Sequence, residues 1–100
     1  MKITKFFKKK PFIIAGPCSA ESESQVLAIA NQTKDYTNLF RAGLWKPRTS
    51  PNSFEGVGNR GLKWLQKVRE KTGLKVATEV ATAKHVEYCL KAEIDMLWIG

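Results

Sequence analysis

The sequence has little that would carry it into or across a membrane. No stretch approaches the roughly 20 apolar residues of a membrane span. The lysine-rich start followed by Phe12-Ile13-Ile14-Ala15 imitates an export signal, but the apolar run breaks after four residues at Gly16-Pro17, short of the roughly 7 to 15 that an export core needs. A cytoplasmic location is expected. Cysteine is equally sparse. Cys18 and Cys89 lie far apart in unlike contexts, which excludes both a disulfide framework and the paired spacing of a structural zinc site. The lone histidine, His85, is expected mid-helix on the surface. Acid is missing altogether from Tyr36 to Phe54.

What remains is an ordinary soluble composition, 43% hydrophobic and 26% charged over 100 residues. The net charge of +8 suggests nucleic acid until it is divided: Lys2, Lys5, Lys8, Lys9 and Lys10 supply 5 of it and leave +3 for the rest. Residues 1–11 therefore read as a solvated basic segment. Residues 12–100 form the folded body, and no interleaving of aromatic and basic residues supports nucleic-acid binding.

The acid-free stretch holds the most pointed chemistry. Arg41, Lys46 and Arg48 stand with Thr49 and Ser50 in a segment that Pro47 and Pro51 stiffen. Unneutralised cations beside hydroxyl donors, held with little freedom, grip phosphate or carboxylate groups through charge-assisted hydrogen bonds. The segment reads as a binder of small anionic metabolites.

Around it the pattern alternates. Phe12 to Ala15 reads as a strand, and Ser22-Glu23-Ser24-Gln25 has the form of a capping box. The helix after it should turn Val26, Ile29, Ala30 and Thr33 inward. Leu39 to Ala42 reads as a second strand, and Asn59 to Lys71 as a helix burying Leu62, Trp64, Leu65 and Val68, stopped by Gly73. Leu74 to Thr78 is a third strand closed by Glu79. Thr82 caps a helix through Leu90, with Val86, Cys89 and Leu90 apolar, and Met96 to Ile99 is a fourth strand. Trp64 and Trp98 fit core positions.

The order βαβαβαβ predicts an α/β fold with a parallel sheet and right-handed crossovers, so that every strand's carboxyl end lies on one side. Cys18, the cationic segment and Glu79 then fall around one mouth. A (β/α)8 barrel typically needs about 250 residues, so the chain reads as the amino-terminal half of a TIM barrel, truncated at its carboxyl end. A complete four-stranded α/β domain is the competing reading, one whose outer strand edges would need cover.

Ile13 to Ser22, then Phe40-Arg41-Ala42-Gly43 leading into Lys46-Pro47-Arg48-Thr49-Ser50-Pro51-Asn52-Ser53-Phe54-Glu55-Gly56, then Thr78-Glu79, together resemble the 3-deoxy-7-phosphoheptulonate (DAHP) synthase family, of the type related to 3-deoxy-octulosonate 8-phosphate synthases. The resemblance implies a complete (β/α)8 barrel, a homo-oligomer at full length, and a transferase that joins phosphoenolpyruvate to erythrose 4-phosphate with a divalent metal at the first step of aromatic amino-acid synthesis. It implies that Cys18 is a metal ligand, with manganese, iron or zinc equally open, and that a histidine, a glutamate and an aspartate from later strands complete the set. Arg41 and Lys46 resemble the grip on the phosphoenolpyruvate carboxylate, Lys46 also lying near the aldehyde. Pro47, Arg48, Thr49 and Ser50 resemble the segment that holds the erythrose 4-phosphate. Glu79 resembles the acid near the attacking water. The related branch has Lys-Ala-Asn-Arg-Ser-Ser where this chain has Lys46-Pro47-Arg48-Thr49-Ser50, which favours the four-carbon aldose over arabinose 5-phosphate. These residues alone are expected to be inactive.

Overall fold

A computed structural model describes residues 11–45 and 56–99. Four strands, β1 (Ile14–Ala15), β2 (Leu39–Arg41), β3 (Lys75–Val80) and β4 (Met96–Ile99), lie parallel in the order β1-β2-β3-β4. Helices α1 (Glu23–Thr33), α2 (Gly61–Thr72) and α3 (Ala83–Lys91) connect them, α2 being preceded by a 3-10 turn at Gly58–Arg60. Sequential parallel strands joined by helical crossovers give the arrangement of the first half of a (β/α)8 barrel.

Alternation sorts the sheet into two faces. Phe40, Val76 and Val80 belong to the cluster that Val26 and Ala30 of α1, Leu62, Leu65 and Val68 of α2, and Cys89 of α3 complete. This is the helix side. Register puts Ile14, Leu39, Arg41, Lys75, Ala77, Glu79, Met96 and Trp98 on the opposite, open face, where Leu39 and Ala77 are buried and yet stand outside that cluster.

Local chemistry sets the helix ends. Ser22 Oγ accepts the Gln25 N–H at 3.1 Å, which satisfies one of the amides a helix start leaves open. The returning arm of the expected capping box lands one residue early, with Gln25 Oε1 accepting from Glu21 N. Thr82 Oγ1 caps α3 through the His85 N–H. Helix α2 stops at Gly73, whose N–H donates to the Arg69 carbonyl.

Several expectations need correction. β1 begins only at Ile14 because the ladder opens at Asn38, whose Oδ1 accepts from the Ile13 N–H. Phe12 lies ahead of it and is 66% exposed. β3 runs on to Val80, since Glu79 and Val80 pair with Trp98 and Ile99, so Glu79 lies inside the strand and does not close it. Trp98 shares the open face with Glu79 and is outside the helix-side core. Leu90 points away from the sheet at 67% exposure, while Cys89 beside it is buried. The α-helix after the cationic segment starts at Gly61, two residues later than Asn59, because Gly58–Arg60 winds more tightly.

Candidate active site

The carboxyl ends of the strands gather the candidate residues. β1 gives way to Gly16, with φ of 144°, where an added Cβ would overlap the Arg41 carbonyl oxygen. Only glycine lets the two backbones meet so closely. That contact turns the chain toward Cys18, which is exposed in the bend that follows. Beside it, Ser19 Oγ is buried with no hydrogen-bond partner among the described residues.

Beyond β2 the backbone is held at each step. Ala42 N–H donates to the Ala77 carbonyl, and the Ala42 carbonyl accepts from Thr78 Oγ1 at 2.7 Å. Gly43 O accepts the Ala20 N–H, and Leu44 O accepts the Gly58 N–H, both at 2.8 Å. Gly56 presses on the same place, since a Cβ there would lie 2.2 Å from Leu44 O. Ala42, Gly43 and Leu44 are all buried. The two flanks of the segment 46–55 therefore meet on one rigid pedestal at the carboxyl end of β2. Lys46, Pro47, Arg48, Thr49 and Ser50 lie outside the described residues.

Arg41 and Glu79 share the open face, Glu79 lying two residues beyond Ala77, the register partner of Arg41. Arg41 Nη1 stands 3.8 Å from Glu79 Oε1, with the two side chains 28% and 26% exposed. The contact is an ion pair too long for a hydrogen bond, and at that exposure it contributes up to about 1 kcal/mol.

Among the described residues no three of His, Cys, Asp and Glu gather closely enough to hold a metal ion. They offer one candidate ligand, the Cys18 thiol, where a metal centre takes three or four protein donors. Cys89 lies in the helix-side core, away from the face that carries Arg41 and Glu79, and burial pushes its thiol up to about 11.

The sequence pattern predicts His85 mid-helix on the surface. It lies instead in the first turn of α3, half-buried, with its ring stacked on Trp45 at 4.1 Å between centroids and 10° between planes. The Thr82 cap signal, three residues earlier, accounts for the first-turn position alone and not for the stack.

A parallel sheet in sequential strand order, joined by helices, defines an α/β protein of the barrel kind. The profile of the DAHP synthetase I family matches residues 3–100, and the chain belongs to that family. It is 43% identical over 68 residues to a phospho-2-dehydro-3-deoxyheptonate aldolase of Thermotoga maritima, covering 67% of this chain and 20% of the relative. With a 2-dehydro-3-deoxyphosphooctonate aldolase of Syntrophotalea carbinolica it shares 37% over 95 residues, 87% of this chain and 34% of the relative. The crystal structure of a phospho-2-dehydro-3-deoxyheptonate aldolase (DAHP synthase) from Thermotoga maritima superposes with a TM-score of 0.80 at 35% identity, over 89% of this chain and 26% of that one. The chain thus spans between a fifth and about a third of these relatives' lengths.

Proposed function

We propose that this chain forms one side of the active site of a 3-deoxy-7-phosphoheptulonate synthase, which condenses phosphoenolpyruvate with erythrose 4-phosphate. The observation that carries the reading is Arg41 at the carboxyl end of β2, next to a buried backbone pedestal bonded on every side. A cation on such a base needs no reorganisation to meet an anion.

Arg41 binds the carboxylate of phosphoenolpyruvate, and Lys46, the second residue after Leu44, adds a second cation to it and reaches the aldehyde oxygen. Arg48 and Thr49 hold the aldose phosphate, with Pro47 and Ser50 shaping the segment. Two anions repel each other, so holding both in reacting geometry turns a rare encounter into an intramolecular step. Glu79, beside Arg41, orients the water that attacks the enolpyruvyl carbon. Cys18 would be one ligand of a divalent metal whose other ligands lie outside these residues, and such a metal, when bound, polarises the aldehyde oxygen.

The relatives include both heptonate and octonate aldolases by name, so a 3-deoxy-octulosonate 8-phosphate synthase using arabinose 5-phosphate is the second reading. The Lys46-Pro47-Arg48-Thr49-Ser50 sequence favours the four-carbon sugar. Steady-state rates of the full-length protein with both aldose phosphates, measured side by side, decide between them. A higher kcat/KM for erythrose 4-phosphate is expected, and a higher value for arabinose 5-phosphate would overturn the assignment.

A further inference from the structure

His85 and Trp45 come from different βα units and meet where the chain leaves β2. His85 is held once at its ring and once at its backbone. Its Nδ1 accepts the Ala81 N–H at 3.1 Å, which leaves the ring proton on Nε2, and its backbone N–H is held by Thr82 Oγ1 at 3.1 Å. The Ala81 N–H thus orients the ring at the start of α3. Burial lowers its pKa, favouring the neutral ring that this acceptor role needs.

Trp45 lies flat on that plane, 4.1 Å away. Its Nε1 edge faces Gly58, where an added Cβ would stand 3.8 Å from it. The indole thus sits between the strand 3 side of the mouth and the returning backbone, and it packs on the helix-side core. Hydrogen bonds fix Ala42, Gly43 and Leu44 through their backbone. Trp45 is the next residue, and there a side-chain stack does the holding. The residue after it is Lys46.

We propose that His85 is a positioning residue: its ring, fixed by the Ala81 N–H, clamps Trp45 and thereby fixes the backbone from which Lys46 departs. This rests on the reading of Lys46 as a substrate-binding cation, but the clamp itself is tested without activity. A stacked aromatic pair of this kind is strong enough to set one side-chain orientation and too weak to hold the fold.

The test uses the protein with every tryptophan but Trp45 replaced by phenylalanine, Trp64→Phe and Trp98→Phe included, and reads the quenching of Trp45 by acrylamide. His85→Ala should raise the quenching constant about twofold or more, and His85→Phe, which keeps a flat ring to stack on, should restore it. His85→Asn, which keeps an acceptor for the Ala81 N–H without a ring, should not. With the native tryptophans, His85→Ala should lower kcat/KM by about tenfold, in line with a small misplacement of a reacting group, and His85→Phe should recover most of it. Equal quenching in His85→Ala and its parent, or restoration by Asn and not by Phe, would overturn the clamp. If the full-length parent protein condensed neither aldose phosphate, the function proposed above would fall, and the quenching result would still decide this one.

Discussion

Two arginine–acid pairs stand at opposite ends of this sheet, and they are built differently. At the amino ends of the strands, Arg69 Nη2 meets Asp95 Oδ2 at 3.2 Å with both side chains 32% exposed. The same Asp95 oxygen accepts the Val76 N–H at 2.8 Å, the Asp95 N–H donates to Val76 O at 3.0 Å, and Arg69 also donates to the Glu93 carbonyl. At the carboxyl ends, Arg41 and Glu79 are slightly more buried yet stand 3.8 Å apart. Burial and charge hardly differ between the pairs. What differs is that the base pair directs its hydrogen bonds to backbone groups of β3 and of the turn before β4, whereas the mouth pair holds two charges near each other without a hydrogen bond between them. The first arrangement stabilises the sheet. The second keeps a guanidinium and a carboxylate on an open face, as a binding site requires.

The largest effect expected from this contrast is chemical. Cys18→Ala, at the mouth, should lower metal-dependent condensation by about 100-fold or more and leave thermal unfolding nearly unchanged. Near-normal turnover after metal is stripped and restored would remove Cys18 from the ligand set. Next comes stability at the base. Asp95→Ala strands the Val76 N–H and should cost about 1–3 kcal/mol, whereas Glu79→Ala should change stability by about 0.5 kcal/mol or less. Denaturant unfolding of both variants checks this, and equal losses would erase the distinction between the two ends.

A smaller effect should divide the mouth itself. Arg48→Ala should raise KM for the aldose phosphate about tenfold while moving that for phosphoenolpyruvate much less, as loss of a bidentate phosphate partner would. Equal shifts in both would contradict the division of the segment. Smallest is the pH dependence of the mouth. Burial lowers the His85 pKa below its ordinary 6.5, so the unfolded chain takes up that proton first. Its contribution is full above about pH 6.5, falls as the pH drops below that, and levels off beneath the folded-state value. Melting temperatures followed downward from pH 7 should show a shallow decline that His85→Phe lacks.

The sequence made most of the frame legible because the frame rests on local rules. Ser22 and Thr82 announced two helix starts and Gly73 a stop, each through a bond that spans only a few residues. Alternation found the strands, and parallel order brought Cys18, Arg41 and Glu79 to one edge. Reading went wrong where a neighbour far along the chain decides. Glu79 is inside β3 because β4 pairs with it, and Trp98 faces the open side because register with Glu79 puts it there. The Trp45–His85 stack joins residues 40 positions apart, and nothing near His85 in sequence marks it. The pedestal was half legible: Gly16 and Gly56 were visible as glycines, but the carbonyls of Arg41 and Leu44 that they must approach were not.

The central claim is that the carboxyl end of the sheet, and not its base, grips an anionic substrate, and binding of phosphoenolpyruvate by calorimetry tests it most directly. Arg41→Met should weaken binding by about tenfold or more, the loss expected for a charge-assisted carboxylate contact, while Arg69→Met, equally a loss of one cation, should leave the affinity within about twofold. Unchanged affinity in Arg41→Met, or an equal fall in both variants, would contradict the account.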